Sequence, residues 1–172
     1  PKTTTDKPGE RVYMDGCGPV VPSIVHAYTN YIGCCDGATG YARMYPCKGQ
    51  DQTAAIAALS LYIAELRLLL GRVSGYVSPL LVRTDGGSAF VAARFQEFCA
   101  RHQSRLSLAT AYEPNQNAMI ERVWGTRFGT ARTLLAAARL PVVFHPYALA
   151  TANYLHNRLP SLRREGGKSP FE

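Results

Sequence analysis

The chain has 172 residues, 47% hydrophobic and 18% charged, which excludes a disordered polymer and fits one domain with its own core. Nineteen Lys and Arg against twelve Asp and Glu leave a formal net charge of +7. Fifteen of the nineteen are arginines, whose planar forks grip phosphate in pairs, so the balance leans toward a nucleic-acid partner.

Residues 1–10 are polar and read as an N-terminal arm. Arg11–Asp15 alternates like a strand. Tyr28–Asp36 and Tyr41–Tyr45 are rich in aromatic and β-branched residues, and the Asp36-Gly37 and Gly40 signals between them predict a hairpin. Gln52–Leu70 predicts a long Ala/Leu helix, capped by Gly71 and apolar on nearly every face, hence sandwiched between a sheet and another surface. Pro79–Thr84 predicts a short strand. Ser88 is the predicted N-cap of a helix with Val91, Phe95, Phe98 and Cys99 on its core side. Leu106 and Leu108 alternate in a further strand, followed by a polar loop, Thr110–Asn117. A helix then runs from Ala118 to Ala138, stopped by Pro141, and a last helix lies between Pro146 and Pro160. A hairpin followed by alternating strands and helices predicts an α/β layer fold with a mixed sheet.

The five cysteines are odd in number, two are adjacent (Cys34, Cys35) and none forms a C-x-x-C. A disulfide framework is not expected, and a reducing compartment fits better. The histidines show no paired metal-ligand spacing. The most apolar run, Ala54–Ala64, contains Ser60 and is followed by Glu65 and Arg67, so it falls short of the roughly 20 residues of a membrane span. No membrane association is expected. The chain opens on Pro1 and reads as a piece of a longer protein.

Acidic residues are few, so their positions carry information. Asp15 closes the strand Val12–Asp15, and Asp85 closes Leu81–Asp85. If these strands are parallel neighbours, both carboxylates emerge at the carboxyl edge of the sheet, where open α/β sheets place their sites. Two adjacent carboxylates repel unless protonated or bridged by a cation, and oxygen-only ligation suits Mg²⁺. Glu121 lies in the first turns of the Ala118–Ala138 helix. Ile120, Trp124, Phe128, Ala131, Leu135 and Ala138 form its apolar stripe at the helical period. Glu121 borders that stripe, with Gly125, Arg132 and Arg139 along the same border. Arg127 falls inside the stripe, where a snorkelling side chain or an interface would account for it. Asp36 is read as a hairpin-turn residue and excluded, and Glu97 and Glu113 are rival third ligands.

At these residues the chain resembles the catalytic core of retroviral-type integrases, the copia-type retrotransposon enzymes above all. Their signature is two Asp and a Glu with thirty-five residues between the second and third, the number that separates Asp85 from Glu121. Pro8-Gly9-Glu10, Gly18-Pro19, Gly40-Tyr41, Thr84-Asp85-Gly86-Gly87, Pro114-Asn115-Gln116-Asn117, Glu121-Arg122 and Asn157-Arg158-Leu159-Pro160 are similar to family motifs. The resemblance therefore covers nearly the whole chain.

The resemblance implies a ribonuclease-H-like fold with a five-stranded mixed sheet flanked by helices, its core spanning 11–160 with a C-terminal extension over 161–172. It implies a metal-dependent polynucleotidyl transferase that processes DNA 3′ ends and joins them to target DNA, with Asp15, Asp85 and Glu121 as catalytic residues holding two Mg²⁺ or Mn²⁺ ions. Tyr112, Asn115, Asn117, Arg122, Arg132 and Arg139 are the candidate DNA contacts, the loop and following helix N-terminus offering N–H groups to phosphate. Double-stranded DNA and a homo-oligomer, through the long apolar helix, are the expected partners. The expected location is nuclear with a cytoplasmic phase. Two other readings share these residues: a ribonuclease-H-like nuclease that only hydrolyses, and a decayed or co-opted DNA- or protein-binding core, which Ala118 and Ala89 at family-divergent positions would favour.

Overall fold

In the computed structural model, the described residues are 7–74, 78–108, 118–160 and 167–172, with the side chains of 72–74 not described. Five strands, β1 (Arg11–Cys17), β2 (Asn30–Asp36), β3 (Ala42–Cys47), β4 (Leu81–Thr84) and β5 (Arg105–Leu108), form one sheet in the order β3-β2-β1-β4-β5. β1, β2 and β3 run antiparallel, whereas β4 and β5 lie parallel to β1. This is the mixed five-stranded sheet the resemblance implies.

Alternation along β1 divides its side chains between two cores. Val12 and Met14 face α1 (Gln52–Ser74), α2 (Ser88–Val91) and α3 (Ala93–Arg101), where they join Ile32, Leu59, Tyr62, Ile63, Val82, Phe90 and Phe95. Tyr13 and Cys17 face α4 (Ala118–Ala137) and α5 (His145–Arg158), beside Ile120, Trp124, Ala131 and Leu149. Asp15 shares their parity, so it points to the α4 side. The hairpin turn is tied by Asp36, whose carboxylate accepts from Gly9 N at 2.7 Å and from Thr39 N and Oγ1 at 2.7 and 2.6 Å. That is the turn role expected of it.

Several boundaries differ from the sequence reading, each for a local reason. The long helix continues through Gly71 to Ser74, so Gly71 is a helix-interior residue and not a cap. Gln52–Gly71 is long and apolar enough to cross a membrane, correcting the expectation that this segment is too short. Its inner face, including Ala55, Leu59, Tyr62 and Leu66, is buried in the core, while Leu61 and Leu68 on the opposite side are exposed. Ser88 is the first helical residue rather than the cap, which is Gly87. The predicted single helix there is two, broken where Ala92 is extended (φ −65°, ψ 139°). Val91 and Leu108 are exposed, not core residues. The α4 helix stops at Ala137, and Arg139 adopts φ +53° in the turn beyond it. Its N–H reaches Ala136 O and that of Leu140 reaches Leu135 O, the pairing of a Schellman terminus. Arg139 therefore does not continue the helical border that carries Glu121, and Ala138 is exposed rather than part of the stripe.

Arg127 is the sharpest departure from a plain apolar stripe. It is 6% exposed, with its Nη2 donating to Asn157 Oδ1 at 3.2 Å and its Nε without a partner. Burial pushes its pKa down to about 10. Asn157 also accepts from Ala42 N (3.1 Å) and donates to Ala42 O (2.8 Å), so its amide satisfies both backbone groups of a residue on the sheet's edge strand.

Candidate active site

β1 and β4 are parallel neighbours with Tyr13 opposite Arg83. Asp15 lies in β1 two residues beyond Tyr13 and Asp85 directly follows the last residue of β4, so both stand at the carboxyl end of the parallel pair, whose strands lie about 4.8 Å apart. Each is half-buried. Asp15 Oδ1 accepts from Gly16 N at 2.9 Å, and its Oδ2 accepts from the Trp124 indole N–H at 3.1 Å. Asp85 Oδ1 accepts from Gly87 N at 3.1 Å, so the Gly86-Gly87 turn anchors that carboxylate.

The electrostatics register the proximity. Burial first, then the negative charge of Asp85, push the Asp15 pKa up from 3.8 to about 6. The hydrogen bonds from Gly16 and Trp124 oppose this, and Glu121 adds the smallest upward contribution. Glu121 therefore acts on Asp15 from the first turn of α4, where it is exposed. The structure brings Asp15 and Asp85 together and sets Glu121 on the adjoining helix. Among the described residues, no group of three or more His, Cys, Asp and Glu side chains is gathered to hold a metal ion.

The Asp15–Asp85 pair fits a hard divalent cation. Both are oxygen donors, they stand at the same end of the sheet, and the charge of Asp85 raises the proton affinity of Asp15, which a cation would relieve. Beside Glu121, Gly125 leaves open space with no atom within 4 Å of where a Cβ would stand. Arg132 is exposed on α4. Arg122 is also exposed, and its Nε turns back to Ala118 O at 3.0 Å. Tyr112, Asn115 and Asn117 lie outside the described residues, as does Glu113. By sequence pattern alone Trp124 is one member of the apolar stripe of α4. The signal that singles it out is its place one turn after Glu121, opposite a glycine in β2.

A five-stranded mixed sheet with two aspartates at adjacent strand ends and a glutamate-bearing helix beside them defines a ribonuclease-H-like core of the retroviral integrase type. The HTLV-2 integrase catalytic core domain, solved with magnesium in a trimeric form, superposes with a TM-score of 0.71 at 22% identity, covering 95% of both chains. A simian T-cell lymphotropic virus intasome chain superposes at 0.75 and 22% identity, covering 95% of this chain and 53% of that one. At these identities the likeness establishes the fold.

No protein-family model matches the chain. In sequence it is 31% identical to the Retrovirus-related Pol polyprotein from transposon RE1 of Arabidopsis thaliana over 169 residues, 96% of this chain and 11% of the polyprotein. It is 30% identical to the feline foamy virus Pro-Pol polyprotein over 116 residues, 67% of this chain and 9% of the polyprotein. The chain thus spans about a tenth of the length of the curated relatives it matches. It is a homologue of one segment of retroviral and copia-type Pol polyproteins, built on the fold of the integrase catalytic core.

Proposed function

We propose that the chain is the catalytic core of a retrotransposon integrase, a polynucleotidyl transferase that trims DNA 3′ ends and joins them to a second duplex. The observation that carries this reading is the pairing of Asp15 with Asp85 at adjacent parallel strand ends, under the helix that bears Glu121. Asp15 and Asp85 would hold the divalent cations, with Glu121 completing the set from α4. When bound, a pair of Mg²⁺ or Mn²⁺ ions supplies an activated water or 3′-hydroxyl and charge neutralisation of the leaving oxygen.

The chain's own residues orient and bind. The Gly16 and Trp124 N–H groups fix the Asp15 carboxylate, and the Gly87 N–H fixes that of Asp85. Arg132, Arg122 and Arg139 are the cations for DNA phosphate, and Tyr112, Asn115 and Asn117 the loop contacts. A homo-oligomer through the exposed Leu61 and Leu68 face of α1 is the expected assembly, and the HTLV-2 core in its trimeric form supports self-association as a property of the fold. On this reading the chain acts in the nucleus, after a cytoplasmic phase, where its target DNA lies.

The test is a strand-transfer assay on the chain with its flanking regions restored, in Mg²⁺ or Mn²⁺, comparing wild type with Asp85→Asn. Labelled 3′ ends joined by wild type and not by the variant support the proposal. Nicking without joining favours the hydrolytic nuclease, and equal activity of the two proteins overturns the metal-site assignment.

A further inference from the structure

Trp124 is the chain's only tryptophan and stands one turn beyond Glu121. The residue is 7% exposed. Asp15 pairs with Gly33 across the β1–β2 ladder, and the indole occupies the space that a side chain at Gly33 would fill. A Cβ there would stand 2.7 Å from Trp124 Cζ2 and 3.0 Å from Met44 Sδ. Through that gap the indole crosses β2 and delivers its N–H to Asp15 Oδ2. Behind it Phe128 stacks at 5.6 Å between centroids and 23° between planes, and Tyr31 meets Phe128 edge-on. A large ring held on several sides has one orientation, so its N–H has one direction.

We propose that Trp124 is a positioning residue for the reaction: its N–H fixes the Asp15 carboxylate and ties β1 to α4, so that Asp15 and Glu121 keep one spacing. It touches no reacting atom. The inference rests on the metal-assisted reading above and deepens it. A tryptophan that only fills the core would depend on its volume and be indifferent to its N–H.

The discriminating variant replaces Trp124 with β-(3-benzothienyl)alanine, which keeps the bicyclic shape and puts sulfur where the N–H was. The expected result in the full-length strand-transfer assay is a kcat lower by about ten- to a hundredfold, the range spanned by losing a charge-assisted hydrogen bond at a site where small misplacements matter, with the DNA KM unchanged. Trp124→Phe should lose at least as much and also unfold at lower temperature. An isostere as active as wild type overturns the inference while leaving the integrase reading intact. Wild type that joins no DNA overturns that reading instead. The second readout needs no turnover: titration of the wild-type chain with Mg²⁺ should shift the emission of its single tryptophan, and Asp15→Asn should abolish the shift. An emission indifferent to Mg²⁺, or a shift that persists in Asp15→Asn, refutes the coupling.

Discussion

Replacing Asn157 with alanine tests the network that fastens α4 and α5 to the sheet edge. The residue is 1% exposed, and its side chain makes three hydrogen bonds: from Ala42 N, to Ala42 O and from Arg127 Nη2. Truncation strands two neutral backbone groups and removes the hydrogen bond of a buried guanidinium whose Nε already has no partner. At about 1 kcal/mol for each neutral group and about 2 for the charged one, the loss is roughly 4 kcal/mol. That is a large share of the ~5–15 kcal/mol that holds a domain together. With about 2–4 °C of melting temperature per kcal/mol at this size, the variant should melt roughly 8–16 °C lower. Thermal unfolding followed by far-ultraviolet circular dichroism measures it directly. A melting temperature within about 2 °C of wild type would refute the reasoning, because water would then be replacing the amide at no cost.

Other consequences follow from the same geometry. The folded protein binds the Asp15 proton more tightly than the unfolded chain, since its pKa is raised from 3.8 to about 6. Its ionisation therefore costs stability above pH 6, and the cost is relieved as pH falls toward 4. Without divalent cations, Asp15→Asn should melt above wild type at pH 7–8, the gap narrowing by about pH 4. Melts across that range check the sign, and a variant less stable at pH 8 contradicts it. Gln103 ends α3 at φ +56°, with its N–H on Ala100 O and the next residue's on Cys99 O. Gln103→Gly should relieve about 0.5–1 kcal/mol and raise the melting temperature by roughly 1–4 °C, whereas a lower one would show that the unfolded chain's added freedom dominates. Finally, the logarithm of DNA affinity should fall linearly with the logarithm of salt concentration, less steeply in Arg132→Ala. Fluorescence anisotropy from low to high salt measures the slope, and a flat line excludes phosphate-led binding.

The sequence by itself settled the features that rest on local pattern. Alternation marked β1, the Asp36-Gly37 and Gly40 signals placed the hairpin, the apolar period outlined α4, and Pro146 and Pro160 bracketed α5. The strand-end positions of Asp15 and Asp85 were legible because scarce carboxylates closed two apolar runs. Local pattern failed where a partner distant in sequence decided the outcome. Arg127 is buried in an apolar stripe because Asn157, 30 residues away, offers it an oxygen. Trp124 reaches Asp15, 109 residues earlier in the chain, because a glycine on a third element clears the way. Periodicity reports which face of an element is apolar, but not which atom from elsewhere arrives at it. Hydrogen bonds between side chains remote in sequence depend on the register and packing of whole layers, and only the tertiary structure contains those.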